Sequence, residues 1–486
     1  MALIETVRAE RLAKIERLKE SGMDAYPART GRTHSVDQFL ENHGTLENNS
    51  EQVVIAGRVM SIREHGGSLF VDVFDGTKCQ GFLQRDKLGE LSYDLFVGTV
   101  DTGDIVEFAG LAFTTKRGMP ALSVTGWRML AKSLRPLPDE WYGIKDEDER
   151  YRKRYIDILL SKDLAERIRR RSKFWNVIRS YLLERDFVEV ETPVLETTTG
   201  GAEARPFVTH HNALNIDVYL RISSGELWQK RLLIGGLSKV FEIGRIFRNE
   251  GMSAEHLQDY TQVEFYEAFK DYEFGMEMVS DLYRTIADKV YGTRVFSVKN
   301  FNIDFGKEWE VYDFCALMQK AYGFDPRDSD VKTVDLQRLL EKEGITVPEV
   351  PEVGRIIDLL WKKIRKNLSG PGFLVNVPVY MEPLAKKSAK DSRVVERFQV
   401  MIAGSEIGKG FSELNDPVDQ AERFKHQQQL RAAGDEEAQM TDSEFVEALE
   451  YGMPPAFGFG VSERLFSFLE NVPVRESQIF PLMRPR

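Results

Sequence analysis

Apolar and polar positions alternate with a period of two through residues 52–132. VVIAGRVMSIRE, SLFVDVFDG, KCQGFLQ, DIVEFAGLAF and ALSVTGWRML are short β-rich runs, punctuated by turn residues such as Asp75-Gly76. About five strands in so short a span predict a small barrel or sandwich. Elsewhere the period changes. Leu12, Ile15 and Leu18 form an apolar stripe within residues 1–22, with Arg8, Arg11, Lys14 and Arg17 around it, and Gly22 at its end. That predicts a helix, either a solvated amphipathic one or a basic arm that touches RNA. Phe174, Val177, Ile178, Tyr181 and Leu182 share another helical face, followed by the alternating FVEVETP, which stops at Pro193. TVDLQRLLEKEG and GRIIDLLWKKIRKN also read as helices. A Pro-bearing, charge-rich stretch, SLRPLPDEWYGIKDEDERYRKRY, separates the strand-rich part from the mixed part.

A chain of 486 residues exceeds one ordinary core and predicts two or three domains. Apolar residues at 42% and charged ones at 29% are ordinary for a globular protein. No apolar run is long enough to span a membrane, and MALIETVRAERLAKIERLKESG lacks the apolar core of a secretory signal. The only cysteines, Cys79 and Cys315, exclude a disulfide framework or a CxxC zinc site, and this fits a reducing cytoplasm. The net charge of −11 argues against binding nucleic acid over the whole surface but leaves room for a local basic face. Arg167, Arg169, Arg170, Arg171 and Lys173 are the densest basic run, and a solvated helix face is its default reading. Phe70, Phe74 and Phe82, with Arg63, Lys78, Gln80 and Arg85 nearby, suit either a barrel core or base stacking on a barrel face.

Three segments could carry chemistry. KVFEIGRIFRNEGMSAEHLQDYTQVEFYEAF (239–269) reads as an antiparallel hairpin with a long loop. Its first strand aligns Glu242, Gly244, Ile246 and Arg248 on one face, and its second aligns Glu264 and Tyr266. Arg248 is then either half of a buried ion pair or a bidentate grip on phosphate or carboxylate. In GSEIGKGFSELND (404–416), glycines flank Lys409 between Glu406 and Glu413, which reads as a solvated turn or a site for a cation or an ammonium group. AFGFGVSER (456–464) fits neither a dinucleotide fingerprint nor a phosphate loop. Its glycines allow close backbone approach, and Arg464 opens the helix that follows. His210 and His211 are adjacent strand residues on opposite faces, so a shared metal is disfavoured.

The helix-strand segment ending at Pro193, FRNEG with its hairpin and the Gly-rich strand with Arg464 resemble, in this order, the three motifs of class II aminoacyl-tRNA synthetases. TPVLETTTGGAEARPFVTHHNALNIDVYLRI, FEIGRIFRNEG, EIGKGFSELND and FPLMRP are similar to the lysine-specific branch, and the resemblance extends over almost the whole chain. It implies an α+β protein. A helical extension (1–50) would precede an OB-fold anticodon-binding β-barrel (51–135) and a linker (136–155). The catalytic domain (156–486) would be a mainly antiparallel sheet flanked by helices. The resemblance also implies a cytoplasmic homodimer that uses ATP, Mg2+, L-lysine and tRNA(Lys).

Position by position, the resemblance makes Arg248 and Arg464 catalytic. Arg248 would grip the lysine carboxylate and the α-phosphate, and Arg464 the γ-phosphate. Glu250, His256, Tyr260 and Glu406 would complete the ATP site. Gly201, Glu226, Glu264, Tyr266, Phe411 and Glu413 would hold lysine, whose two ammonium groups need carboxylates once desolvated. Glu406 and Gln399 would face the metal, and Arg63, Phe70 and Gln80 the anticodon. Some residues depart from the family pattern: Gln399 replaces a metal-binding Glu, Lys409 an Asn, Glu255 an Arg and Gly126 a Glu. Tyr260 stands for the usual Phe, and the Gly-rich strand is one residue shorter than GxGxGxxR, which leaves the phasing of Arg464 open. The competing expectations are an aspartate- or asparagine-specific ligase, a lysyl ligase acting on protein, and a catalytically silent RNA-binding relative.

Overall fold

The structure, a computed structural model, describes residues 2–138, 143–251, 253, 255–328, 331–348, 352–435 and 437–486. It divides into two compact units, Met1–Leu160 and Ser161–Arg486.

In the first unit, helices Ala2–Glu20, Val36–Glu41 and His43–Asn49 precede five strands. These are β1 (Gln52–His65), β2 (Ser68–Phe74), β3 (Lys78–Gln84), β4 (Ile105–Thr114) and β5 (Pro120–Ala131). They close into a barrel in the order β1-β2-β3-β5-β4, in which β3 and β5 run parallel. The alternation sends Val53, Ile55, Val71, Val73 and Val124 inward. Phe70, Phe74 and Phe82 are only half-buried, which places them outside that core. The N-terminal helix buries Leu18 and leaves Leu12 exposed. Arg11 turns in, donating to the carbonyls of Ser133 (2.9 Å) and Thr102 (3.1 Å), and Lys14 pairs with Asp101 at 2.6 Å. Half of the expected basic collar is therefore spent on the unit's own packing. Helices Glu147–Arg152 and Arg154–Leu160 also fall within this unit, which runs past the expected linker. Residues 139–142 of that linker lie outside the described residues.

In the second unit, β6 (Val188–Glu189) is followed by β7 (Leu195–Glu196), β8 (Val208–His211) and β9 (Ile216–Leu220). Then come β10 (Lys239–Phe247), β11 (Asp259–Ala268), β12 (Val295–Val298), β13 (Phe301–Asp304) and β14 (Glu310–Asp313). The last strands are β15 (Gly372–Val375), β16 (Arg397–Ile402), β17 (Ser405–Ser412) and β18 (Ala456–Ser462). Eight of them form one sheet in the order β14-β15-β16-β17-β18-β11-β10-β6, antiparallel except at its two ends. β6 is shorter than FVEVETP predicts; the pairing ends with Val190, whose N–H reaches the Phe241 carbonyl at 2.9 Å, before Pro193 removes a donor.

Period-two alternation gives β18 two distinct faces. Phe457, Phe459 and Val461 belong to the apolar core that also takes Phe174, Ile178 and Leu182 from helix Lys162–Leu183 and Val279, Leu282 and Ile286 from helix Tyr272–Ile286. Gly458, Gly460 and Ser462 are left for the opposite face. Helix Tyr272–Ile286 lies so close to β18 that a Cβ on Gly275 would stand 2.1 Å from the Phe457 ring. Gly275→Ala is therefore expected to destabilise the second unit by about 1–3 kcal/mol, despite alanine's better helix propensity. Denaturant unfolding measures this, and an unchanged midpoint would contradict the close packing.

Candidate active site

The sheet's second face carries a cavity of about 450 Å³, lined from β11, β16, β17, β18 and the loops around them. Cross-strand register lays out its floor. Tyr266, Gly458 and Phe411 form one row across β11, β18 and β17, and Glu264, Gly460, Lys409 and Gln399 form the next, reaching β16. The glycines are required by what stands beside them. A Cβ on Gly458 would meet Glu413 Oε1 at 2.1 Å and the Tyr266 ring at 2.4 Å.

All of the residues expected to hold ATP, lysine or metal line this cavity: Gly201, Glu226, Arg248, Glu250, His256, Tyr260, Glu264, Tyr266, Gln399, Glu406, Phe411, Glu413 and Arg464. They divide into an acidic end and a basic end.

At the acidic end, Glu226, Glu264 and Glu413 are all buried, together with Tyr266. Glu264 accepts from the Ser224 N–H (2.9 Å), the Tyr266 hydroxyl (3.0 Å) and the Gln262 amide. Glu226 opens helix Glu226–Ile234 after Gly225, whose φ of 76° lets the chain turn in. Gly201, at φ 83°, sits so close that a Cβ there would lie 2.7 Å from Glu226 Cβ. The fully buried Lys230 was missed in the sequence. Its ammonium bonds Glu226 at 2.7 Å, lies 2.5 Å from Glu413 and stands 5.4 Å from the Phe411 ring centre. Its position one helical turn after Glu226 was the available signal. One internal cation faces three buried acids, and Glu413 Oε1 has no hydrogen-bond donor. Burial, reinforced by Glu226, pushes the Glu264 carboxyl above the usual carboxylate range. Burial does the same to Glu413, although Lys230 pulls the other way. Burial also opposes the charge on Lys230, but Glu226 and Glu413 outweigh it and raise its pKa.

At the basic end, Arg248 follows β10. Its Nε donates to the Ile222 carbonyl at 3.2 Å, and its Nη atoms have no hydrogen-bond partner among the described residues. The buried Arg248–Glu264 pair that was one expectation does not form. The Arg248 guanidinium lies 5.9 Å from the Tyr260 ring centre. Burial raises Glu250, while burial and Arg464 lower His256, whose Nδ1 meets the Ser253 hydroxyl at 2.7 Å. β18 pairs with β11 in unbroken register from Ala456 to Ser462, and Arg464 still reaches the cavity without a bulge. The preceding residue, Glu463, is buried and held by Arg171 and Gln478. Arg170 pairs with Glu470 at 2.7 Å, so part of the dense basic run ties helix Lys162–Leu183 to the segment around Arg464 rather than facing solvent.

The donors available to a hard cation are few. Glu406 Oε1 accepts from Trp361 Nε1 at 2.6 Å, which leaves Oε2, and the Gln399 oxygen is taken by Arg397. Among the described residues no cluster of three or more acidic, His or Cys side chains could hold a metal. Such a set fits a magnesium ion carried mainly by phosphate oxygens and water, with Glu406 as a protein ligand. Lys409 pairs with Glu382 at 2.7 Å, which also holds Arg397 at 2.5 Å; Glu382 was not singled out from sequence.

The remaining candidates are not among the residues that line this cavity. In the barrel, Phe70 stacks on Phe82 at 4.7 Å, and Phe82 is 5.9 Å from Phe113. Arg63 and Gln80 both donate to Asp72, each at 3.2 Å. A Cβ at Gly126 would meet only Ala109, at 3.8 Å. His210 bonds Asp217 at 2.9 Å, whereas the His211 ring accepts from the Leu214 N–H, so the two do not converge.

A family profile for tRNA synthetases class II (D, K and N) matches residues 146–484. Lysine–tRNA ligases of Fervidobacterium nodosum and Roseiflexus sp. (strain RS-1) are each 40% identical over 99% of this chain and over 95% and 99% of their own lengths. That of Moorella thermoacetica is 41% identical over 98% of both. Similarity at that level over essentially the full length of both partners means that the chain belongs to the class II lysine–tRNA ligase family.

Proposed function

We propose that the chain activates L-lysine with ATP, giving lysyl-adenylate and pyrophosphate, and then passes the lysyl group to the 3′ end of tRNA(Lys). The observation that carries this reading is the acidic end of the cavity. Three buried carboxylates and a tyrosine hydroxyl around a single internal ammonium leave negative charge for a second cation to offset. The substrate's ε-ammonium takes Glu264, Tyr266 and the open oxygen of Glu413, with Phe411 beside its alkyl chain. Its α-ammonium takes Glu226 and the Gly201 carbonyl. An aspartate or asparagine side chain offers these acids no positive charge.

The Arg248 Nη atoms then meet the substrate carboxylate and the α-phosphate. A carboxylate oxygen attacks the α-phosphorus, the bond to pyrophosphate breaks, and Arg248 offsets the charge that builds on the phosphoryl oxygens. Glu250 and His256 contact the nucleotide, Tyr260 stacks on its base, and Arg464 holds the far phosphate. Glu406 would hold Mg2+, which would supply positive charge to the triphosphate. In the second step a hydroxyl of the tRNA's terminal adenosine attacks the adenylate carbonyl and AMP leaves. The protein's part is mainly positioning and fixed charge.

The closed five-stranded barrel serves as an OB-fold, with Phe70, Phe82 and Phe113 stacking on anticodon bases and Arg63 and Gln80 reading their edges. Two copies join through the segment 183–208, which exposes the apolar side chains Leu183, Val188, Val194, Leu195 and Val208. No helix among the described residues is long and apolar enough to cross a membrane, and the buried free thiols Cys79 and Cys315 accord with a cytoplasmic setting.

ATP–pyrophosphate exchange tests the activity. Lysine, and no other amino acid in a panel, should stimulate it, and Arg248→Ala should lower it by about two to three orders of magnitude. Absence of lysine-dependent exchange in the intact chain would sink the reading and leave the silent RNA-binding alternative. Gly458→Ala should raise the KM for lysine by about tenfold or more, because the new methyl group enters the space between Tyr266 and Glu413. ATP affinity should hold, and equal losses for both substrates would count against the lysine placement.

The raised carboxyls set a pH dependence. A carboxyl that titrates above its ordinary value keeps its proton to higher pH, and only its ionised form attracts an ammonium group. Lysine binding should therefore tighten and release protons as pH rises from about 6 to about 8, where the ε-ammonium stays charged. Calorimetry in buffers of different ionisation enthalpy measures the proton count. A pH-independent affinity with no proton release would contradict the burial argument.

A further inference from the structure

At the rim of the cavity three donors converge on one carboxylate. Glu255, in the β10–β11 loop, accepts from Arg464 Nη2 on Oε2. Its Oε1 accepts from Lys299 Nζ at 2.9 Å and from the Ser405 hydroxyl at 3.3 Å. Lys299 Nζ also donates to Ser405 Oγ at 3.1 Å. The three donors come from separate places: the β12–β13 turn, the first residue of β17, and the residue that opens helix Arg464–Leu469.

Each of the three also has contacts other than Glu255. The Lys299 N–H is fixed to Asn471 Oδ1 at 3.1 Å, and its ammonium lies 4.9 Å from the Phe468 ring centre. The Arg464 guanidinium lies 5.9 Å from the same ring. Ser405 is buried in the sheet. Glu255, by contrast, rides on a loop whose other described hydrogen bonds, from Glu250 to Gln258, run within the loop or to its base at Arg248. Without the carboxylate, two cations and a hydroxyl would face one point with nothing to offset them. That is the recognition chemistry of a phosphate end. The carboxylate is a competent stand-in: burial works against its charge, but Arg464 and Lys299 hold the carboxyl down to about 2, so it stays ionised at any working pH.

We infer that Lys299, Ser405 and Arg464 form the subsite for the terminal phosphate of the nucleoside triphosphate, and that Glu255 fills it in the free protein and yields it when the nucleotide enters. The inference rests on the ATP reading above and adds Lys299 and Ser405 to it. Exchange of one anion for another makes or breaks no covalent bond. It has two consequences. Triphosphate binds against an internal competitor, which lowers its affinity. After adenylate forms, the returning carboxylate competes with pyrophosphate for the same donors and favours its release.

The test compares AMP, a non-hydrolysable ATP analogue and inorganic pyrophosphate, titrated calorimetrically into the intact chain. Lys299→Met should weaken the ATP analogue and pyrophosphate by about tenfold and leave AMP unchanged. Glu255→Gln should tighten the same two ligands by about three- to tenfold, again sparing AMP. Lys299→Arg, which keeps the charge, should restore most of the affinity, and thermal melting confirms that each variant is folded. The opposite signs carry the argument, because an ion pair that merely braces the loop would fail in the same direction whichever partner were removed. Same-sign losses, losses that include AMP, or no change in either variant would overturn the inference while the ligase reading stood. Wild-type protein that neither binds the ATP analogue nor shows lysine-dependent exchange would overturn both.

Discussion

Buried negative charge around one internal ammonium organises the second unit. Glu226, Glu264 and Glu413 are closed off from water, and removing ionised carboxylates from water costs several kcal/mol each unless something offsets it. Lys230 offsets part of the cost, at 2.7 Å from Glu226 and 2.5 Å from Glu413. The Ser224 N–H, the Tyr266 hydroxyl and the Gln262 amide offset part of the rest at Glu264. What remains shows itself as raised carboxyl pKa values and as an oxygen of Glu413 without a donor. Lys230 thus has two effects. It makes the acids tolerable where they are buried, and by satisfying only some of them it leaves negative charge uncompensated.

Holding such a cluster requires elements that do not yield, and the sheet supplies them through period-two alternation. On β18 the outward set, Phe457, Phe459 and Val461, is locked into the aromatic core under helix Tyr272–Ile286. The inward set includes Gly458 and Gly460, which keep the floor low enough for Tyr266 and Glu413 to approach it. One strand therefore carries stability on one face and room for a ligand on the other. Arg464 inherits its place from the same strand, because Glu463 beside it is clamped by Arg171 from the long helix. The shortened glycine segment still brings Arg464 to the cavity, because the residue before it is anchored independently.

The legibility of the sequence followed the range of the interactions. The barrel strands were readable because each announces itself through its own alternation and turns. The hairpin was readable because its two strands are neighbours in sequence, but its register was not: Glu264 stands opposite Glu242, not Arg248. The glycines of AFGFGVSER acquired meaning only from β11, nearly two hundred residues upstream. Phe70, Phe74 and Phe82 could not be told from core residues, because alternation gives two faces without saying which is buried. Lys230, Glu382 and Asp72 were missed for a related reason. Each satisfies a partner already singled out; the spacing of Lys230 from Glu226 was there to be read, whereas Asp72 and Glu382 meet their partners only through strand pairing and folding, which leaves no local pattern. The basic run at 167–173 illustrates the reverse error: a helix face read as solvated is in part ion-paired to Glu463 and Glu470.

The unusual residues around the cavity become coherent when charge is counted locally instead of residue by residue. Gln399 is neutral and cannot balance Arg397, and Glu382 supplies the missing carboxylate, which it shares with Lys409. Lys409 is thereby drawn to an internal partner and adds less free positive charge to the cavity than its side chain alone implies. Across the floor, Glu255 balances Arg464 and Lys299 in the same way. The cations at the basic end thus share counter-ions, while the acids at the other end are under-compensated. The cavity is therefore polar from end to end, with under-compensated Glu226, Glu264 and Glu413 at one side and Arg248, whose Nη atoms are unpaired among the described residues, at the other. Polarity of that kind lets fixed charges on a rigid sheet do the positioning that the two-step transfer requires.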